Sequence, residues 1–198
     1  MNIQKASKIL CARDPKLGLL IERLGILELP HSRGPYETLV EAIISQQVST
    51  KAAATIHGRL IDLLSNDLSP ASLLSKTFDE LRSVGLSRQK ATYLQALSEA
   101  FAKKAQRYER LHEMEDAEVI KSLTEIKGLG LWTAQMFLIF NLLREDVFPV
   151  DDLGIRRAME RSIFSPHETP SKADMSAHAE IWKPYRSVAS LYLWKSVD

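Results

Sequence analysis

Two short stretches carry residues whose types and spacing could do chemistry. In Leu123–Ala134, Gly128 and Gly130 stand two apart between two helical patterns. Glycine permits positive φ and close backbone approach. The helix restarting near Leu131 points its first N–H groups outward, which makes an anion site that needs no cationic side chain. The same residues also read as a glycine-rich helix end without a ligand. Further on, Asp151 and Asp152 precede an apolar-periodic helix holding Ile155 and Met159. Helix capping explains one of the two carboxylates. A second carboxylate fixed at a helix start is a candidate for electrostatic or general-base work.

Other groups are less specific. Gln46 and Gln47 end an otherwise apolar helix before Ser49, as a polar terminus facing water would. Between residues 82 and 110, Arg82, Arg88, Lys90, Lys103, Lys104, Arg107 and Arg110 meet only Glu99 and Glu109. That run is either a solvated face or, for Arg88 and Lys90 beside Gly85, a phosphate contact. His31, His57, His112, His167 and His178 show no metal-ligand spacing and read as surface or satisfied polar residues.

The elements that must position these groups are helices. Leu39, Ile43, Ile44 and Val48 recur at the helical interval, as do Ile56, Leu60, Leu63 and Leu64. No stretch alternates long enough for a sheet. Pro15, Pro35, Pro70 and Pro184 suit a first helical turn, Thr77 with Glu80 forms a capping box, and glycines 25, 85, 128 and 130 mark helix ends. The pattern predicts helices near 2–12, 15–24, 35–47, 50–64, 70–75, 78–84, 88–106, 117–125, 131–143, 152–162, 172–182 and 185–196. Residues 81–91 echo the 126–134 turn, with Ser87 in place of the second glycine. The polar loops Glu28–Gly34 and Phe164–Ser171 are not convincing linkers.

Composition narrows the class. The chain has 198 residues, 26 Lys+Arg against 25 Asp+Glu, and 45% hydrophobic residues. That is a soluble globular balance and excludes a disordered chain. A net charge of +1 argues against a broad basic surface and implies a shallow salt dependence for any nucleic-acid binding. The lone cysteine, Cys11, excludes a disulfide framework and a cysteine-held metal cluster, and fits a reducing interior. The N-terminus does not read as a signal peptide. Leu131–Leu143, with ten apolar residues in thirteen, would rise about 20 Å as a helix. That is short of a membrane core of about 30 Å and reads as a helix buried on nearly all sides.

Taken together, several of these segments resemble the helix-hairpin-helix DNA glycosylase superfamily. Lys127–Ala134 is similar to its hairpin, Val147–Ile155 to its catalytic aspartate segment, and Ala42–Ser49 to the helix end that probes the duplex. Trp182–Ser187 with Trp194 is similar to the C-terminal helix of the 3-methyladenine DNA glycosylase II type, in a compact form without the N-terminal β domain. The matches run in family order from 36 to 195.

The resemblance implies an all-α fold of two helical subdomains, 35–144 with the hairpin and 1–34 plus 145–198 with the aspartate, and a site in the cleft between them. It implies Asp152 as the catalytic carboxylate, three residues before Ile155, with Asp151 as cap or supporting group. Such a carboxylate would face the positive charge that builds on the deoxyribose once the base has left the stack. Where backbone-cutting relatives carry a nucleophilic lysine, this chain has Trp132, which implies a monofunctional enzyme that leaves an abasic site. The iron–sulfur cysteines of other branches are missing.

By the same resemblance, Gln47 would wedge into the duplex and Gln46 would face the pocket. Trp132 and Trp194 would stack on a cationic base, unless they are core; Tyr36 and Tyr185 are weaker candidates, and Trp182 reads as core. Lys127, Gly128, Gly130, Thr133, Arg88 and Lys90 would hold phosphates. No cofactor is implied beyond a sodium or potassium ion at the hairpin carbonyls near Ile126 and Gly128. The implied partner is double-stranded DNA with damaged bases, met by a monomer without membrane contact, in the cytoplasm near the nucleoid or in a eukaryotic nucleus. The implied substrates are alkylated purines such as 3-methyladenine and 7-methylguanine. A bifunctional glycosylase/lyase and a non-catalytic DNA-structure-binding protein are the alternatives.

Overall fold

In this computed structural model, residues 1–29, 33–165 and 168–197 are described; His31 and His167 lie outside them. Among the described residues the regular elements are helices, with no strand. They are α1 (Ile3–Arg13), α2 (Pro15–Leu24), α3 (Pro35–Ser45), α4 (Thr50–Leu63), α5 (Pro70–Leu74), α6 (Phe78–Ser83), α7 (Arg88–Lys103), α8 (Ala105–Glu109), α9 (Asp116–Thr124), α10 (Leu131–Phe140), α11 (Leu153–Ser162), α12 (Lys172–Ala179) and α13 (Arg186–Lys195). Single 3-10 turns lie at Leu111–Glu113 and Glu180–Trp182. None of the described helices is long and apolar enough to cross a membrane.

The helix starts follow the sequence chemistry. Pro15, Pro35 and Pro70 each occupy the first helical turn, where the missing N–H costs nothing. The Thr77–Glu80 capping box forms in both directions. Pro184 differs, because Tyr185 stands between it and α13 as N-cap. Val48 also leaves its expected helix. The chain departs after Ser45, Gln47 takes φ 56°, and Val48 is exposed.

The expected helix over 88–106 is two helices. Lys104 breaks the path at φ −132°, ψ 40°. The break lets Tyr108 stack on Phe101 with ring centroids 4.3 Å apart. A continuous helix would set residues seven apart about 10 Å from each other along its axis.

The chain divides into two units, Met1–His31 with Leu138–Asp198, and Ser32–Phe137. The boundaries fall between α2 and α3 and inside α10, against the 34/35 and 144/145 expected from the sequence. The contiguous unit packs α3 to α9 and the start of α10 around Leu39, Ile43, Leu60, Leu73, Leu81, Leu94, Leu97, Val119 and Leu123, all fully buried.

The discontinuous unit joins the two ends of the chain. Leu10, Leu17, Ile155, Met159, Val188, Tyr192 and Trp182 share its core, each apolar side chain contributing about 1.5–3 kcal/mol by leaving water. Asp14, only 3% exposed, is its polar joint. Its Oδ1 caps α2 by accepting from the backbone N–H of Lys16 and Leu17 at 3.0 and 3.2 Å. Its Oδ2 accepts the Trp182 indole N–H at 2.8 Å and lies 2.8 Å from His178 Nε2. Tyr192 adds a second polar tie, with its hydroxyl 2.9 Å from Ser7 Oγ and donating to the Gly25 carbonyl at 3.0 Å. The strand of chain entering α11 is clamped to α13: Arg186 forks onto Asp146 at 2.7 and 3.0 Å, and Val147 donates to Ser187 Oγ at 2.9 Å.

Candidate functional site

In the contiguous unit the hairpin runs from α9 into α10. Gly128 has φ 97°, a conformation that only glycine adopts without strain. A Cβ there would also lie 2.2 Å from the Tyr93 ring, so the turn lies directly on that ring. Tyr93 is held in turn by Gln89, whose side-chain amide donates to its hydroxyl at 2.5 Å. Lys127 and Gly130 are exposed and Leu129 is buried. Gly130 accepts the first helical hydrogen bond, from Ala134 at 3.1 Å, but has no side chain with which to cap the donors of α10's first turn.

The first turn of α10 corrects the expectation of burial on nearly all sides. Leu131 is 47% and Trp132 43% exposed, because they lie at the tip of the hairpin, while Phe137, Leu138 and Ile139 are buried. Thr133 is only 3% exposed, so its hydroxyl is not presented at the surface.

The end of α3 belongs to the same assembly. Gln46 donates its side-chain amide to the Gly128 carbonyl at 3.1 Å, so it ties the turn after α3 to the hairpin. Gln47 is exposed in the left-handed region at φ 56°, a rare state for a side-chain-bearing residue that is often kept at functional sites. Lys90 is corrected as a phosphate ligand. It is buried, its Nζ donates to the Ile44 carbonyl at 2.7 Å, and burial lowers its pKa. Lys90 thus satisfies the open end of α3 just before the Gln46–Gln47 turn. Arg88 stays exposed at the start of α7, 5.9 Å from the Phe78 ring.

Tyr36 packs inside the contiguous unit. It is buried, its hydroxyl sits 2.6 Å from Ser98 Oγ, and burial pushes its pKa up to about 12. Its ring meets Phe101 edge-on at 5.3 Å, so it is a core residue. Three of the seven cations over 82–110 meet carboxylates: Lys103 meets Glu99, Arg107 meets Glu125, and Arg110 meets Glu113. His57 departs from the satisfied state expected of it. Its Nε2 is buried without a hydrogen bond, and burial together with the Arg33 charge lowers its pKa.

Among the described residues no cluster of three or more His, Cys, Asp or Glu could hold a metal. The Ile126 carbonyl accepts from Leu129 at 3.1 Å and the Gly128 carbonyl from Gln46. Each oxygen keeps a second lone pair with which it can accept again.

In the discontinuous unit, Asp152 is itself the N-cap of α11. Its Oδ1 accepts the Ile155 backbone N–H at 2.9 Å and the Trp194 indole N–H at 2.8 Å. Asp151 is not the cap; it is exposed and ion-paired with Lys172. Trp194 is half-buried with its ring 5.5 Å from Phe140. It lines a cavity of about 460 Å³ with Leu27, Leu29, Phe140 and Leu191. Trp182 and Tyr185 are buried in the core of this unit.

A family model described as HhH-GPD superfamily base excision DNA repair protein matches residues 40–184, spanning hairpin and aspartate alike. The chain belongs to the HhH-GPD superfamily. DNA-3-methyladenine glycosylase 1 of Schizosaccharomyces pombe is 37% identical over 165 residues, 82% of this chain and 72% of that protein. The crystal structure of a DNA-3-methyladenine glycosidase from Bacillus halodurans superposes with a TM-score of 0.86 at 36% identity, covering 96% of this chain and 88% of that one. The Schizosaccharomyces pombe enzyme Mag1, in complex with abasic DNA, gives 0.84 at 33% identity over 97% and 96%.

Two residues beside these groups, one in each unit, are not singled out by the sequence: Gly154 next to Asp152 and Tyr93 next to Gly128. Gly154 carried a signal, since glycine in the first turn of a helix is a poor helix former with no turn to make. Tyr93 carried none, because nothing local marks which α7 residue meets the hairpin.

Proposed function

We propose that the protein is a monofunctional DNA glycosylase that hydrolyses the N-glycosidic bond of alkylated purines, acting as a monomer on double-stranded DNA. The observation that carries this reading is Asp152, a half-buried carboxylate held by two N–H donors on one oxygen. A carboxylate so fixed stabilises the oxocarbenium-like sugar as the bond breaks, or orients the water that completes hydrolysis. Alkylation at a ring nitrogen makes the base cationic and already a good leaving group, so little acid catalysis is required. Gly128, Gly130 and Lys127 position the backbone phosphates, Gln47 fills the space left by the flipped nucleotide, and the exposed indole of Trp132 suits a cationic purine. Trp132 occupies the position where a lysine would make a covalent adduct with the sugar. When bound, an alkali cation at the Ile126 and Gly128 carbonyls would add positive charge at the hairpin.

The experiment is base release from methylated DNA, read as alkali-labile abasic sites. Asp152→Asn is expected to slow release by about 100- to 1,000-fold while DNA binding is retained. Unchanged release in that variant overturns the role of Asp152. A covalent adduct trapped by borohydride in substantial yield overturns the monofunctional reading.

A further inference from the structure

Trp194 reads from sequence as a stacking residue, but its indole N–H is committed to Asp152. We infer that Trp194 is a positioning residue for Asp152, and that Gly154 is glycine so that the indole can reach it. The inference rests on the proposed role of Asp152.

Three observations converge. The Asp152 Oδ1 accepts from Ile155 at 2.9 Å within its own helix and from Trp194 at 2.8 Å across 42 residues of chain. A cap bond alone leaves the carboxyl group free to rock about its side-chain bond; a second donor on the same oxygen fixes its plane. The remaining observation is Gly154, in the first turn of α11. It does not have the positive φ of Gly25, Gly85 and Gly128, so no backbone need explains it. A Cβ at Gly154 would lie 3.0 Å from Trp194 Cδ1 and 3.1 Å from Asp152 Oδ1. The missing methyl group is the space through which the indole edge meets the carboxylate.

The orientation matters because the reaction is geometric. A carboxylate that rocks by an ångström loses much of its hold on a charge developing at one sugar carbon. Trp194 therefore acts through Asp152, and its loss affects the chemical step whatever base is leaving.

The test is a double-mutant cycle in single-turnover excision. Trp194→Phe keeps a ring and loses the N–H. It is expected to lower the excision rate by about 10- to 100-fold with affinity for abasic DNA unchanged, and to cost nothing further in the Asp152→Asn background. Gly154→Ala is expected to lower the rate by a similar factor while the unfolding midpoint stays level or rises, since alanine favours the helix. Opposite signs for rate and stability exclude simple misfolding. A Trp194→Phe loss of the same size in both backgrounds, or one appearing in KM alone, assigns Trp194 to stacking and overturns the inference. An undiminished rate in Gly154→Ala overturns it too. If Asp152→Asn is itself silent, both the inference and the role of Asp152 fall; if Asp152→Asn is inactive and Trp194→Phe is not, only the inference does.

Discussion

Asp14 opens α2 and Asp152 opens α11, and each accepts an indole N–H at 2.8 Å from a tryptophan far along the chain. The same pair of devices, a helix cap and a tryptophan donor, is arranged in two ways. Asp14 spends both oxygens: one on the backbone N–H groups of Lys16 and Leu17, the other on Trp182 and His178. Burial raises its pKa, but the hydrogen bonds from His178, Trp182 and Leu17 outweigh this and the carboxyl ends below its ordinary value. Asp152 gathers its cap bond and its indole bond on Oδ1 and stays half-buried. Spreading donors over both oxygens makes a sealed joint. A cap N–H and an indole N–H converging on Oδ1 of a half-buried residue direct a carboxylate that solvent still reaches.

Three measurements would break or sharpen this contrast. The largest effect is expected from Asp14→Ala, which removes a cap and strands the donors of Trp182 and His178. It should cost about 3 kcal/mol in denaturant unfolding with the excision rate per folded molecule intact, whereas Asp152→Ala should cost only about 1 kcal/mol. Equal stability losses would erase the distinction.

A smaller effect lies in pH. Because the folded pKa of Asp14 is depressed below 3.8, its contribution is fully present above that value and is lost as pH falls through the folded pKa. Wild-type unfolding free energy should therefore drop below about pH 4 by an amount that Asp14→Asn lacks. Parallel pH curves would contradict the assignment. Trp182→Phe leaves Asp14 Oδ2 with His178 and should cost about 1.5–3 kcal/mol for the hydrogen bond lost by a charged group, plus what the smaller ring gives up in packing.

The local rules were legible in the sequence. Prolines 15, 35 and 70, Thr77 with Glu80, and glycines 25 and 85 mark helix boundaries through backbone chemistry that acts within a few residues. The hairpin was legible for the same reason. What escaped depends on partners tens of residues away. Lys90 looks in the sequence like one more surface cation, although it lies one turn before Leu94 and two before Leu97 on the buried stripe of α7. That periodicity could have flagged it, but only the fold shows the Ile44 carbonyl waiting for its ammonium. That Tyr36 turns its hydroxyl to Ser98 and Gln46 its amide to Gly128 is equally invisible in the sequence, because a residue's position does not record where its side chain turns. The break at Lys104 has no glycine or proline to announce it, and the stacking of Phe101 on Tyr108 that goes with it is visible only in the fold.

The discontinuous unit has a consequence for biosynthesis. Asp14 and His178 are 164 residues apart, a length that a ribosome adds in roughly 8–30 seconds at about 5–20 residues per second. During that interval Leu10, Leu17 and Leu20 have emerged while Trp182, Val188 and Tyr192, with which they share a core, have not. The Ser32–Phe137 segment, by contrast, is contiguous and has its whole core as soon as it is made. A nascent chain stalled before α13 would therefore carry a finished middle and an apolar N-terminal hairpin without a partner, the kind of surface that chaperones hold and proteases cut.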